Sequence, residues 1–96
     1  MAVIVIQQVA ATEEQYNAVN EAMDTRGDPP VGLIIHTGGA VDNGELRVVD
    51  VWESADAFQA FAAARLGPTV AQVMGADAPT PRVEIRELYD VINGTS

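Results

Sequence analysis

The chain has 96 residues and a net charge of −9, with five arginines, no lysine and no cysteine. That length argues for one domain, drawn at 1–93 with a frayed tail at 94–96, and the 48 % hydrophobic content excludes global disorder. The charge argues against nucleic-acid binding and against docking on anionic membranes, and no apolar run reaches the roughly 18 residues a membrane span needs. The missing thiols exclude disulfides and iron–sulfur clusters, and one histidine alone makes no zinc site, so no metal or cofactor is expected. A cysteine-free acidic chain fits the cytoplasm.

The first element, "AVIVIQQV" (2–9), is β-branched and apolar on both faces, which reads as a central strand rather than a secretory signal. In "ATEEQYNAVNEAMDTRG", Thr12 and Gln15 form a T-x-x-Q capping box, and Glu13 and Glu14 sit where a helix N-terminus favours anions. Tyr16, Val19, Asn20 and Met23 recur at helical spacing as its inner face, and Gly27 with Pro29-Pro30 ends the helix.

Two strands at about 31–41 and 45–53 follow, joined through "DNGE", where Asn43-Gly44 is a strong hairpin signal. Ser54 caps a second helix, "ADAFQAFAAARL", with Phe58, Phe61, Ala62 and Arg65 on one face. Gly67-Pro68 is expected to break it, with a short further helix reaching about Met74. A last strand, "RVEIRELYDVI", closes the pattern.

The order β-α-β-β-α-β is the ferredoxin-like, split βαβ arrangement of the α+β class. It predicts a four-stranded antiparallel sheet ordered 4-1-3-2 with both helices on one face. The other face is also apolar and needs a cover, which a homodimer supplies.

"VVDVWESADAFQAF" carries a resemblance. With the element order, it makes the chain similar to the dimeric α/β-barrel superfamily and, within it, to the antibiotic biosynthesis monooxygenase-like domains. The resemblance covers nearly the whole chain. It implies a pocket between the sheet and the helices of one subunit, with Asp50 and Trp52 facing into it. It also implies activities of the family's kinds: oxygenation of polycyclic phenols without metal or flavin, heme degradation, or small cyclase and isomerase reactions. The heme-degrading pattern is not met. A helical histidine after the tryptophan is replaced by Phe61, Ala62 and Ala63, and a first-strand asparagine by Gln7 and Gln8.

Asp50 sits between valines at a position that should be interior, where a carboxylate needs a partner. It and His36 are the candidate catalytic residues. Trp52, Tyr16, Asn20, Phe58, Phe61 and Arg65 are the candidate substrate contacts, and Arg65 could pair with Asp50 or an anionic ligand. Each has a plainer alternative, as core or as a solvated face. A two-residue Asn43-Gly44 loop would place His36 opposite Val51, on the far side of the sheet from Asp50. A one-residue slip, expected as a bulge at Gly38-Gly39, would bring the two together.

Two functions follow. One is a small-molecule pocket protein of secondary metabolism, a cofactor-independent monooxygenase acting on an aromatic polyketide-like substrate, or a cyclase or isomerase needing only the proton transfer. The other is a non-catalytic homodimer that binds a small apolar or aromatic ligand or stabilises a partner enzyme. A cavity of a few hundred cubic ångströms with convergent polar groups favours the first.

Overall fold

A computed structural model describes residues 1–92 and Gly94; the tail expected at 94–96 lies, Gly94 apart, outside them. In chain order the elements are β1 (Val3–Val9), α1 (Glu13–Met23), β2 (Leu33–Ala40), β3 (Leu46–Trp52), α2 (Ala55–Phe61), a π-helical turn (Ala62–Leu66), α3 (Gly67–Met74) and β4 (Arg82–Glu87). The strands form one antiparallel sheet ordered β2-β3-β1-β4, the order the sequence predicts. The fold is α+β and ferredoxin-like. No helix among the described residues is long and apolar enough to cross a membrane.

Strand parity builds the inner face. Val3, Val5 and Gln7 of β1 lie opposite Trp52, Asp50 and Val48 of β3, and all six are buried. Val3, Val5, Trp52 and Phe58 form the core cluster, joined by Leu33, Phe61, Ala62 and Ile85. Burying an aromatic such as Trp52 or Phe58 contributes about 1.5–3 kcal/mol or more, so this cluster ties α2 to the sheet. The opposite parity, Ile4 and Ile6 with Val49 and Val51, remains only half-buried on the uncovered face.

The capping box of α1 is formed in both directions: Gln15 N–H donates to Thr12 Oγ1 at 3.1 Å, and Thr12 N–H to Gln15 Oε1 at 2.9 Å. The helix ends before Gly27, at Asp24, whose backbone takes the left-handed conformation (φ 53°) that Asp tolerates better than most residues.

Three expectations are corrected. Gly67-Pro68 does not break the second helix. Pro68 has no N–H and would clash with the carbonyl four residues back. The turn before it widens, so that Gly67 N–H reaches Ala62 O, and the helix runs on through Met74. The last strand stops at Glu87 instead of continuing to Ile92. Its final pair is Val3–Glu87, and one more bond, Leu88 N–H to Ala2 O, follows it before the two segments part. Tyr89 and Ile92 are consequently exposed.

The third correction is the hairpin. Val41 N–H donates to Glu45 O and Gly44 N–H to Val41 O, closing a three-residue loop, Asp42-Asn43-Gly44, with Gly44 at φ 81°. This is the type I turn plus left-handed glycine, not the two-residue turn. Asn43 Oδ1 accepts from Glu45 N–H and favours it. The pairing therefore shifts by one, and His36 faces Asp50. The expected bulge at Gly38-Gly39 is absent; the register irregularity lies between Leu33 and Ile35.

Candidate active site

The shifted register lays out the site. One row across the inner face reads His36, Asp50, Val5, Ile85, and the next reads Gly38, Val48, Gln7, Val83. Helix α1 crosses above the β2 end of these rows and supplies Tyr16.

Asp50 is 3 % exposed, and both of its oxygens are used. Oδ1 lies 2.7 Å from His36 Nδ1, and Oδ2 accepts from the Trp52 indole N–H at 3.3 Å. Burying a carboxylate without partners is costly, and these two donors offset that cost. A carboxylate accepts from Nδ1–H, which fixes the histidine tautomer and leaves Nε2 as the basic nitrogen. Nε2 is met by the Tyr16 hydroxyl at 2.6 Å, and the two rings lie within 11° of parallel. The result is a phenol–imidazole–carboxylate chain. Its buried end is anchored by Trp52, while the His36 side chain keeps 31 % exposure.

This chain forms part of the wall of a cavity of about 370 Å³ between sheet and helices. The remaining wall is mostly apolar. Val19 and Met23 come from α1, Phe58 and Phe61 from α2, Val70 and Met74 from α3, and Pro79, Pro81 and Val83 from the far edge. Trp52 packs edge-on to Phe58 (centroids 5.7 Å apart) and tilted to Phe61 (5.2 Å), so the aromatic floor is rigid. A cavity of this volume and lining suits an apolar molecule meeting a few fixed polar groups. Among the described residues, no group of three or more carboxylate, imidazole or thiol side chains gathers to hold a metal.

Of the residues singled out in the sequence, His36, Asp50, Trp52, Tyr16, Asn20, Phe58 and Phe61 all line this cavity. Arg65 does not. Its guanidinium donates to the carbonyl of Met23 and, at 3.0 Å, to that of Asp28, with the Asp28 carboxylate 3.8 Å away and the Phe61 ring beneath it. It is held by the turn after α1 and is not free for Asp50 or an anionic ligand.

Two contributors escaped the sequence reading. Gln7 shares the parity of Val3 and Val5 and so faces the cavity, a placement the strand's alternation could have given. Gly38 matters through what it lacks: a Cβ there would lie 2.5 Å from the Tyr16 ring and hydroxyl. No local pattern signals that contact, because Tyr16 comes from another element.

No protein-family model matches the chain, and no curated protein does. Solved structures do match in fold. Rv0793 from Mycobacterium tuberculosis superposes with a TM-score of 0.70 at 19 % identity, over 97 % of this chain and 100 % of its own. SnoaB, a cofactor-independent oxygenase from Streptomyces nogalater, gives 0.66 at 15 % identity, over 97 % and 98 % of the two chains. A Deinococcus radiodurans protein, provisionally named an antibiotic biosynthesis monooxygenase, gives 0.66 at 14 % over 98 % and 99 %. The fold is therefore that of the antibiotic biosynthesis monooxygenase-like structures.

Proposed function

We propose that the chain is a cofactor-independent oxygenase acting on a planar polycyclic phenol, within a single domain spanning 1–93. The observation that carries this is the Tyr16–His36–Asp50 chain set in the wall of a largely apolar cavity floored by Trp52. The likeness of fold to SnoaB, itself a cofactor-independent oxygenase, supports the same class.

In this function His36 Nε2 is the general base, oriented by Asp50. It takes the substrate's proton either directly, with Tyr16 turned aside, or through the Tyr16 hydroxyl. Deprotonation of an electron-rich phenol, or of the methylene of its keto form, places negative charge on a ring carbon. Dioxygen adds there as a hydroperoxide. Loss of water then turns the methylene into a carbonyl, with one oxygen atom in the product and one in water. Trp52, Phe58 and Phe61 hold the ring plane, and the apolar wall excludes solvent from the carbanion.

The test is dioxygen uptake in the presence of anthrone, a tricyclic ketone whose enol form is a phenol, followed by the appearance of anthraquinone. Turnover well above the spontaneous rate, lost in His36→Ala, is expected. Uptake without any protein dependence would leave the cavity without this reaction. Proton transfer without dioxygen consumption would instead support a cyclase or isomerase.

We propose further that the working unit is a homodimer joined through the uncovered sheet face. Ile4, Ile6, Val49 and Val51 lie there beside Ile35, which is 52 % exposed. A chain of this size gains much by covering such a surface. Sedimentation is expected to give twice the chain mass at micromolar concentration; a stable monomer would refute the dimer.

A further inference from the structure

We infer that Gln7 is the specificity-determining contact of the cavity, a side-chain amide that selects ligands bearing a hydroxyl or carbonyl at the end remote from His36. This rests on the proposed aromatic-ligand function and names a feature that ligand must have.

Only two polar residues are buried in the described chain, Asp50 at 3 % and Gln7 at 9 % exposure. Asp50 is fully engaged by His36 and Trp52. The Gln7 amide makes no hydrogen bond to any described residue. No side-chain nitrogen or oxygen is both enclosed and unpaired, so that amide opens onto the cavity it lines. The adjacent Gln8 shows the contrast. It faces the other side of the sheet, donates to Glu45 at 2.7 Å and accepts from Arg47 at 2.9 Å.

Across the sheet Gln7 is flanked by Val48 and Val83, both of them cavity walls, so its amide is a lone polar point in an apolar patch. The open amide can be solvated while the cavity is empty, but a ligand that fills the cavity strips that water away and leaves the amide unpaired unless it brings a polar atom of its own. Its NH₂ donates and its carbonyl accepts, so a hydroxyl or a carbonyl would serve.

Gln7 lies two strands and one residue pair away from His36, which separates their Cα atoms by about 12 Å. A ligand bonded at both points is therefore extended, with oxygen at each end and apolar rings between.

The test uses Trp52, the chain's only tryptophan, as the reporter, because its ring lines the cavity. Quenching of its fluorescence is titrated with 2-hydroxyanthraquinone and with 2,6-dihydroxyanthraquinone, which differ only in the remote hydroxyl. The wild-type chain should bind the dihydroxy compound about tenfold more tightly. Gln7→Leu and Gln7→Met, checked for folding by circular dichroism, should bring the two affinities together. Equal affinities in the wild type, or a preference that survives both substitutions, would overturn the role of Gln7 and leave the proposed function standing. If neither compound quenches Trp52 in the wild type, the aromatic-ligand function falls and the inference falls with it.

Discussion

Tyr16 rests on Gly38 so closely that a methyl group in place of the glycine hydrogen would lie 2.5 Å from its phenol carbon and oxygen. The same hydroxyl is 2.6 Å from His36 Nε2. The bare backbone of β2 is thus what allows the phenol–imidazole bond to form. Gly38→Ala should leave the sheet intact, since the atoms it meets are the far end of a side chain that can swing away. It should break the Tyr16–His36 bond and lower turnover by about 10²-fold if Tyr16 relays the proton. The imidazole resonances of His36, compared between wild type, Gly38→Ala and Tyr16→Phe, check this: the two variants should give the same shifted spectrum.

Asp50→Asn separates orientation from charge. The amide oxygen can still accept from His36 Nδ1–H, but the amide nitrogen then meets the Trp52 indole N–H, donor against donor. Stability should fall by about 1–3 kcal/mol, the usual cost of leaving a buried polar group unpaired. Any proton-transfer activity should fall by about 10²–10⁴-fold. Thermal melting and dioxygen uptake measured on one sample check both; full activity in the variant would remove Asp50 from the chemistry.

Glu45 provides a pH dependence with a definite sign. Hydrogen bonds from Gln8 and then Asn43, with Arg82 nearby, hold its carboxyl below the usual carboxylate range. A depressed folded value means that the stabilisation is present above the ordinary carboxylate pKa. It is lost as the pH falls through the folded value. The site is solvent-facing, so the effect is small. Glu45→Gln should melt slightly earlier than wild type near neutrality, and the two melting curves should converge in acid; a gap that widens in acid would contradict the assignment.

Element order and strand pairing were legible because they follow from alternation, capping and turn residues, all of which are local. Thr12 with Gln15 marked a helix start that formed as written. The site was half legible. Asp50 and Trp52 share a parity that any register preserves, so the sequence placed them on one face. His36 sits across a turn, and a single residue of loop length decides its face. Arg65 shared the inner stripe of the second helix, yet carbonyls at the end of α1 captured it, a contact between distant parts of the chain that periodicity does not encode. Pro68 misled for a related reason: a proline forbids one hydrogen bond, not a helix, where the preceding turn can widen.

The loop at Asp42-Asn43-Gly44 gives the sharpest test of how register makes the site. Val41 and Glu45 bracket three residues, with Gly44 in the left-handed region. Deleting Asp42 leaves Asn43-Gly44 alone between the same bracketing pair, and that dipeptide favours a two-residue type I′ turn. Every pairing below the loop, Ala40 with Leu46 and on to His36 with Asp50, is then unchanged. The deletion should therefore keep the His36–Asp50 bond and whatever activity depends on it, with little loss of stability. Gly44→Val acts oppositely. It leaves loop length alone but puts a β-branched residue at φ 81°, at a cost of at least about 1–2 kcal/mol, and should loosen the hairpin end of the site. Thermal melts, with magnetisation transfer between the His36 and Asp50 side chains, separate the two cases. Loss of the His36–Asp50 contact in the deletion variant would show that the intact three-residue turn, rather than the pairing it sets, holds the imidazole in place.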